Sequence, residues 1–103
     1  MRAAGEDPGA FGATLAALMV ERGISYRVLA GRTGLSAGYL NHLAHANRPT
    51  PANPVIETIA RGLEVDPAVF REYRLRIVTA RLEALPELLD RIYRETGEGE
   101  LSA

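Results

Sequence analysis

Cysteine and lysine are absent from this 103-residue chain. Without cysteine, neither a disulfide framework nor a thiolate metal site can form. All 12 basic residues are therefore arginine. Their planar forks suit bidentate contacts with phosphates or bases, although a GC-rich genome produces the same bias. No apolar run approaches the ~20 residues that span a bilayer. The opening segment MRAAGEDPG has no apolar stretch of the kind a signal peptide carries, so the expected location is cytoplasmic. Strand-like alternation and internal repeats are missing too, which excludes sheets and solenoids. An excess of positive charge is also lacking, since the net charge is −1. That balance is the main compositional argument against a nucleic-acid partner, because phosphate neutralisation supplies much of the affinity of many DNA binders.

Charge placement says more than the sum. Acids gather at the ends, at Glu6 and Asp7 and again at Glu95, Glu98 and Glu100. Between Ala10 and Phe70, Arg22, Arg27, Arg32, Arg48 and Arg61 face only Glu21, Glu57, Glu64 and Asp66. That segment is near neutral and predicts modest non-specific affinity with a shallow salt dependence.

What is present is helical throughout. With 47% hydrophobic residues, the chain can bury the core of one domain. Asp7-Pro8 pairs an acidic cap with proline at a first helical position. Phe11, Leu15, Leu18 and Met19 then recur at helical spacing until Gly23 supplies a stop. Ser25 and Ser36 are caps for the second and third helices. The proline-bearing stretch from Asn47 to Pro54 is a loop. Asn53-Pro54 opens a fourth helix with core residues Val55, Ile56, Ile59, Ala60 and Leu63, after which Val65 plugs the core. Asp66-Pro67 repeats the cap-and-proline signal and predicts a fifth helix through Val69, Phe70 and Tyr73. The expected organisation is a tail at residues 1–7, a domain at 8–70, amphipathic helices at 71–96 divided by Pro86, and a frayed tail at 97–103.

Within the domain, Tyr26 to Pro49 reads YRVLAGRTGLSAGYLNHLAHANRP. Ala30 is small where a second helix must cross closely. Gly34 can take φ > 0 and close a tight turn. Leu35 drops into the core, and Ser36 starts the next helix. This is the spacing of a helix-turn-helix, which leaves its second helix on the surface where a DNA major groove can receive it.

The segment from Phe11 to Phe70, over half the chain, resembles the Cro/repressor-like helix-turn-helix proteins, also called the xenobiotic-response-element family. The matching residues are Leu15, Leu18, Gly23, Leu29-Ala30, Gly34-Leu35-Ser36, Tyr39-Leu40, Leu43, Arg48-Pro49, Ile59-Ala60, Leu63, Val65 and Phe70. Within the family, the run SAGYLNHLAHANRPTP is similar to actinobacterial regulators. The resemblance implies an all-α, five-helix lambda-repressor-like DNA-binding domain, here followed by a C-terminal helical extension. It also implies a transcription regulator, a repressor acting as a homodimer on an inverted repeat with the helix at 36–45 in the major groove. Where the family often has Glu-x-Gly after the recognition helix, this chain has Ala44 and Ala46, which moves the expected left-handed helix end to Asn47.

By family position, Ser36, Ala37, Gly38, Asn41 and His42 face the bases. Asn41 can pair with adenine, His42 with guanine or a phosphate, and Ala37 with a thymine methyl group. The plainer account is that Asn41 and His42 are polar residues on a solvated face. Gly38 admits either close approach to DNA or a tolerated glycine near a helix start. Tyr26, Arg27, Tyr39, Asn47 and Arg48 are the phosphate candidates, with Tyr39 equally suited to plain core packing and Arg32 read as a solvated surface charge. Leu82, Leu85, Leu88, Leu89, Ile92 and Tyr93 form a stripe for a second copy or a protein partner such as a toxin or another regulator.

The competing class is a protein-interaction module, an antitoxin or a polymerase-binding adaptor, that uses the helix-turn-helix only as a scaffold. His42 and His45 stand three apart, but no third ligand completes a metal site. No cofactor motif or catalytic constellation stands out, so an enzyme is not expected.

Overall fold

The computed structural model describes residues 10–102, and every regular element among them is helical. The elements are α1 (Ala10–Arg22), α2 (Tyr26–Thr33), α3 (Ala37–Ala44), α4 (Asn53–Leu63), α5 (Arg71–Glu83) and α6 (Pro86–Ser102). The helix start read at Asp7-Pro8 and the tail at 1–7 lie outside the described residues, as does Ala103.

Local chemistry fixes most of the boundaries. Ser25 Oγ accepts the Val28 N–H at 3.1 Å and Ser36 Oγ the Tyr39 N–H at 3.0 Å, capping α2 and α3. Gly23 and Gly34 adopt φ of 64° and 79°, and the Gly34 N–H donates to the Ala30 carbonyl to end α2. Thr33 tightens the same turn, donating to Leu29 O and accepting from the Leu35 N–H.

α1 to α4 enclose a core of Phe11, Leu15, Met19, Leu29, Leu40, Leu43, Ile56, Ile59, Ala60, Leu63 and Phe70. The rings of Phe11 and Phe70 meet with centroids 4.6 Å apart and a 34° tilt. Leu35 and Val65 pack partly against this cluster, as their positions predicted. Glycine permits one close helix crossing. A Cβ on Gly12 would lie 2.4 Å from the Leu43 carbonyl oxygen, so α1 and α3 approach to within backbone contact there.

Three expectations are corrected. The fifth helix does not run through Phe70. Asp66 Oδ1 caps only the 3-10 turn Pro67–Val69, and Phe70 is extended, at φ −90° and ψ 123°, so that its ring can reach the core. α5 starts afterwards, at Arg71. The left-handed residue after α3 is Ala46, at φ 59°, rather than Asn47. The Asn47 N–H donates to His42 O at 2.8 Å and the Ala46 N–H to Leu43 O at 3.1 Å. That bond pair places the strained residue by count, whatever its propensity. Arg32 is exposed, in keeping with its reading as a solvated surface charge, and its Nη1 also donates to the Gly62 carbonyl at 2.9 Å, tying α2 to the end of α4. Lastly, α6 continues past Gly97 to Ser102 where a frayed tail was read. Gly97 keeps a helical backbone instead of the positive φ that would stop the helix.

Alanine at a left-handed position carries about 1–2 kcal/mol of strain. Ala46→Gly is therefore expected to stabilise the protein by about 0.5–1 kcal/mol after the added entropy of the unfolded chain. The urea midpoint would report it, and an unchanged midpoint would mean the turn is relaxed with alanine.

α5 and α6 form an arm on an elongated molecule, 49 Å in its longest dimension. α5 is riveted to the domain on one side. Tyr73 Oη donates to Glu57 Oε2 at 2.6 Å, a bond that, with partial burial, pushes the phenol pKa up. The outward face has no cover among the described residues. Leu75, Val78, Leu85, Leu89 and Ile92 are exposed, and Tyr93 is 75% exposed. No helix among the described residues is long and apolar enough to cross a membrane.

Candidate nucleic-acid interface

α3 is amphipathic in a way that divides its work. Leu40 and Leu43 are buried, and Tyr39 and Ala44 lean on the same core. Turning about the helix, Ala37, Gly38, Asn41, His42 and His45 are exposed together with the cap, Ser36. Residues four apart stack on one face, so all five base-facing candidates share one surface. Ser36 uses its oxygen as the cap acceptor, which leaves its hydroxyl proton free to donate outward. The amides of Ala37 and Gly38 have no partner among the described residues, as expected in a first helical turn. His45 folds back instead, with Nδ1 2.9 Å from the Asn41 carbonyl.

Gly38 is informative because no contact among the described residues requires it. A Cβ built there meets no atom within 4 Å. Gly38→Ala is expected to raise stability by a few tenths to about 1 kcal/mol. If a partner's surface occupies that space, the same change weakens binding while it stabilises the fold. Higher melting temperature with unchanged affinity would return Gly38 to a merely tolerated residue.

The phosphate candidates are split by the fold. Arg27, Asn47 and Arg48 are exposed, at the start of α2 and in the loop directly after α3. Tyr26 and Tyr39 are half-buried, with rings packed on the core cluster. α2 and α3 pack against each other, so both helix starts and the following loop belong to one unit. The stripe at Leu82, Leu85, Leu88, Leu89, Ile92 and Tyr93 lies in the arm and joins no part of this surface.

Gly31 is a second open glycine, which the sequence analysis did not single out. It lies exposed on α2, four residues after Arg27, and its missing side chain also leaves open space. A glycine inside a helix costs about 1 kcal/mol against alanine, and that signal was legible at Gly31 as it was at Gly38. His42 and His45 acquire no further ligand, and among the described residues no group of three His, Asp or Glu is arranged for a metal ion.

Residues 10–73 match the family of helix-turn-helix domains. Among solved structures, the chain is similar to the restriction-modification controller protein C.AhdI from Aeromonas hydrophila. The identity is 27% and the TM-score 0.56, over 60% of this chain and 92% of that one. Two structures of the clp gene regulator ClgR from Corynebacterium glutamicum are also similar. One gives 22% identity and a TM-score of 0.58 over 71% of this chain and 90% of its own. The other gives 23% and 0.57 over 89% and 92%, and at that identity the likeness is one of fold. No curated protein sequence matches the chain.

Proposed function

Because the chain belongs to the helix-turn-helix domain family, of the Cro/repressor-like type, we propose that it is a DNA-binding transcription regulator. It acts as a homodimeric repressor, with α3 of each copy in a major groove. The observation that carries this reading is the exposed face of α3, where Ser36, Asn41 and His42 stand beside two open glycine-proximal amides. The two solved relatives named above are themselves regulators or controllers by description.

The arm supports the second copy. α5 carries Arg71, Arg74, Arg76 and Arg81 against Glu72 and Glu83, and α6 carries Glu87, Asp90 and Glu95 against Arg91 and Arg94, so the two helices differ in the sign of their net charge among these residues. A two-fold axis that sets α5 of one copy against α6 of the other buries both stripes and pairs opposite charges. Two recognition helices would then reach half-sites about one helical turn, ~34 Å, apart.

The test is selection from a random double-stranded DNA pool at low salt and again near physiological salt. Enrichment of an inverted repeat is expected. A single unrepeated motif would discard the dimer, and a folded protein that enriches nothing would transfer the function to protein–protein contacts. On the selected site, Asn41→Ala and His42→Ala should each cost about 1–3 kcal/mol and relax sequence preference. Arg48→Ala should weaken all sequences alike and flatten the salt dependence.

A further inference from the structure

The loop that follows α3 carries Asn47 and Arg48; its start is held by the Asn47 N–H on His42 O, and the stretch beyond Asn47 has little local support. Ala52, which precedes α4, offers it no side-chain cap, and Pro49 and Pro51 have no N–H to donate. Its anchor comes from a remote part of the chain. Arg76, on α5, donates from Nη1 to the Pro51 carbonyl at 2.7 Å and to Asn53 Oδ1 at 2.9 Å. Pro51 is itself buried. One turn earlier on the same face of α5, Tyr73 holds Glu57 of α4. A charged donor makes the stronger kind of hydrogen bond, and a guanidinium can bond two acceptors while staying planar.

We infer that Arg76 is a positioning residue for DNA binding: it fixes the loop that brings Asn47 and Arg48 to the phosphates, and so couples the C-terminal arm to the grip on DNA. The inference rests on the DNA-binding reading above. Arg76 is exposed and none of its bonds closes the core, so its removal leaves the fold intact while freeing the loop. Since α5 also bears the face assigned to the second copy, any shift of α5 on pairing reaches the loop through the same guanidinium. Linkage then requires DNA binding to favour pairing as much as pairing favours DNA binding.

The experiment is a double-mutant cycle on the full chain, with affinity read on the selected DNA site. Arg76→Ala is expected to weaken binding about tenfold, but only about twofold in an Arg48→Ala background, because the loop then has less to position. In an Asn41→Ala background the full loss should return. Arg76→Lys, which keeps a charged donor, should recover part of the affinity. In the free protein, 15N order parameters of Asn47, Arg48, Thr50 and Ala52 should fall in Arg76→Ala and stay high at Asn41. An equal loss with and without Arg48, or a loop as rigid as before, overturns the inference alone. A wild-type protein that selects no site overturns the DNA-binding reading, and the inference with it.

Discussion

Phe70→Ala is expected to lower the free energy of unfolding by about 3–5 kcal/mol. That is a large share of the ~5–15 kcal/mol that holds a domain of this size. Phe70 is fully buried against Phe11, in the extended link between the 3-10 turn and α5. The backbone bonds around it do not depend on the ring. Its N–H donates to Pro67 O, and its carbonyl accepts from the Tyr73 and Arg74 amides. Truncation therefore leaves the chain path intact and empties the space beneath it, where the neighbouring helices can relax only in part. Urea denaturation with an unchanged slope would measure the loss cleanly. Phe70→Leu, which keeps most of the volume, should cost far less. A Phe70→Ala loss below about 1 kcal/mol would mean that the site collapses freely and that Phe70 does not fasten α5 to the domain.

Gly12→Ala is expected to cost about 2–3 kcal/mol although it adds a single methyl group. The methyl would lie 2.4 Å from Leu43 O and 3.1 Å from Ala44 O. Both are main-chain atoms at the end of α3, so no rotamer change can make room. α1 and α3 must separate, and α3 carries the candidate base-reading face. The variant should thus lose DNA affinity beyond what its stability explains, measured at a temperature where it is fully folded. Gly62→Ala is the control. Its obstacles are Thr33 Cγ2 at 2.8 Å and Leu29 Cδ1 at 2.9 Å, the far ends of side chains that can shift. Equal losses at Gly12 and Gly62 would refute the distinction between rigid backbone and yielding side chain.

These two positions mark how much of the molecule its sequence disclosed. Phe70 was legible, because apolar periodicity and an Asp-Pro start signal both point to a core residue near that place. The helix around it was not. The cap at Asp66 forms as read, yet the ring's pull toward the core breaks the helix after one turn, and a local signal carries no information about that. Gly12 was opaque for a related reason. Its partner lies about thirty positions onward, and a glycine within a helix looks like a weakness until the crossing is known. Arg32 and Arg76 were invisible as fasteners because they bond to carbonyls, which every residue possesses and no composition betrays. Ala46 took the left-handed turn from Asn47 because hydrogen-bond counting outranked propensity. At the candidate site, the alternation of Leu40 and Leu43 with Asn41 and His42 sufficed to predict which face is exposed. What each exposed side chain touches depends on a second molecule, and no periodicity encodes that.

The stacking of Phe11 on Phe70 also sets an order of events during synthesis. They are the first and last members of the buried cluster along the chain, so the helical head cannot complete its core until Phe70 has left the ribosome. Everything that follows, α5 and α6, emerges only afterwards. Domains form from the N-terminus as the chain is made. Each nascent chain thus finishes its helix-turn-helix head alone, with the apolar arm still to come. The sticky surface is exposed only after the head has a complete core, which narrows the routes to misassembly.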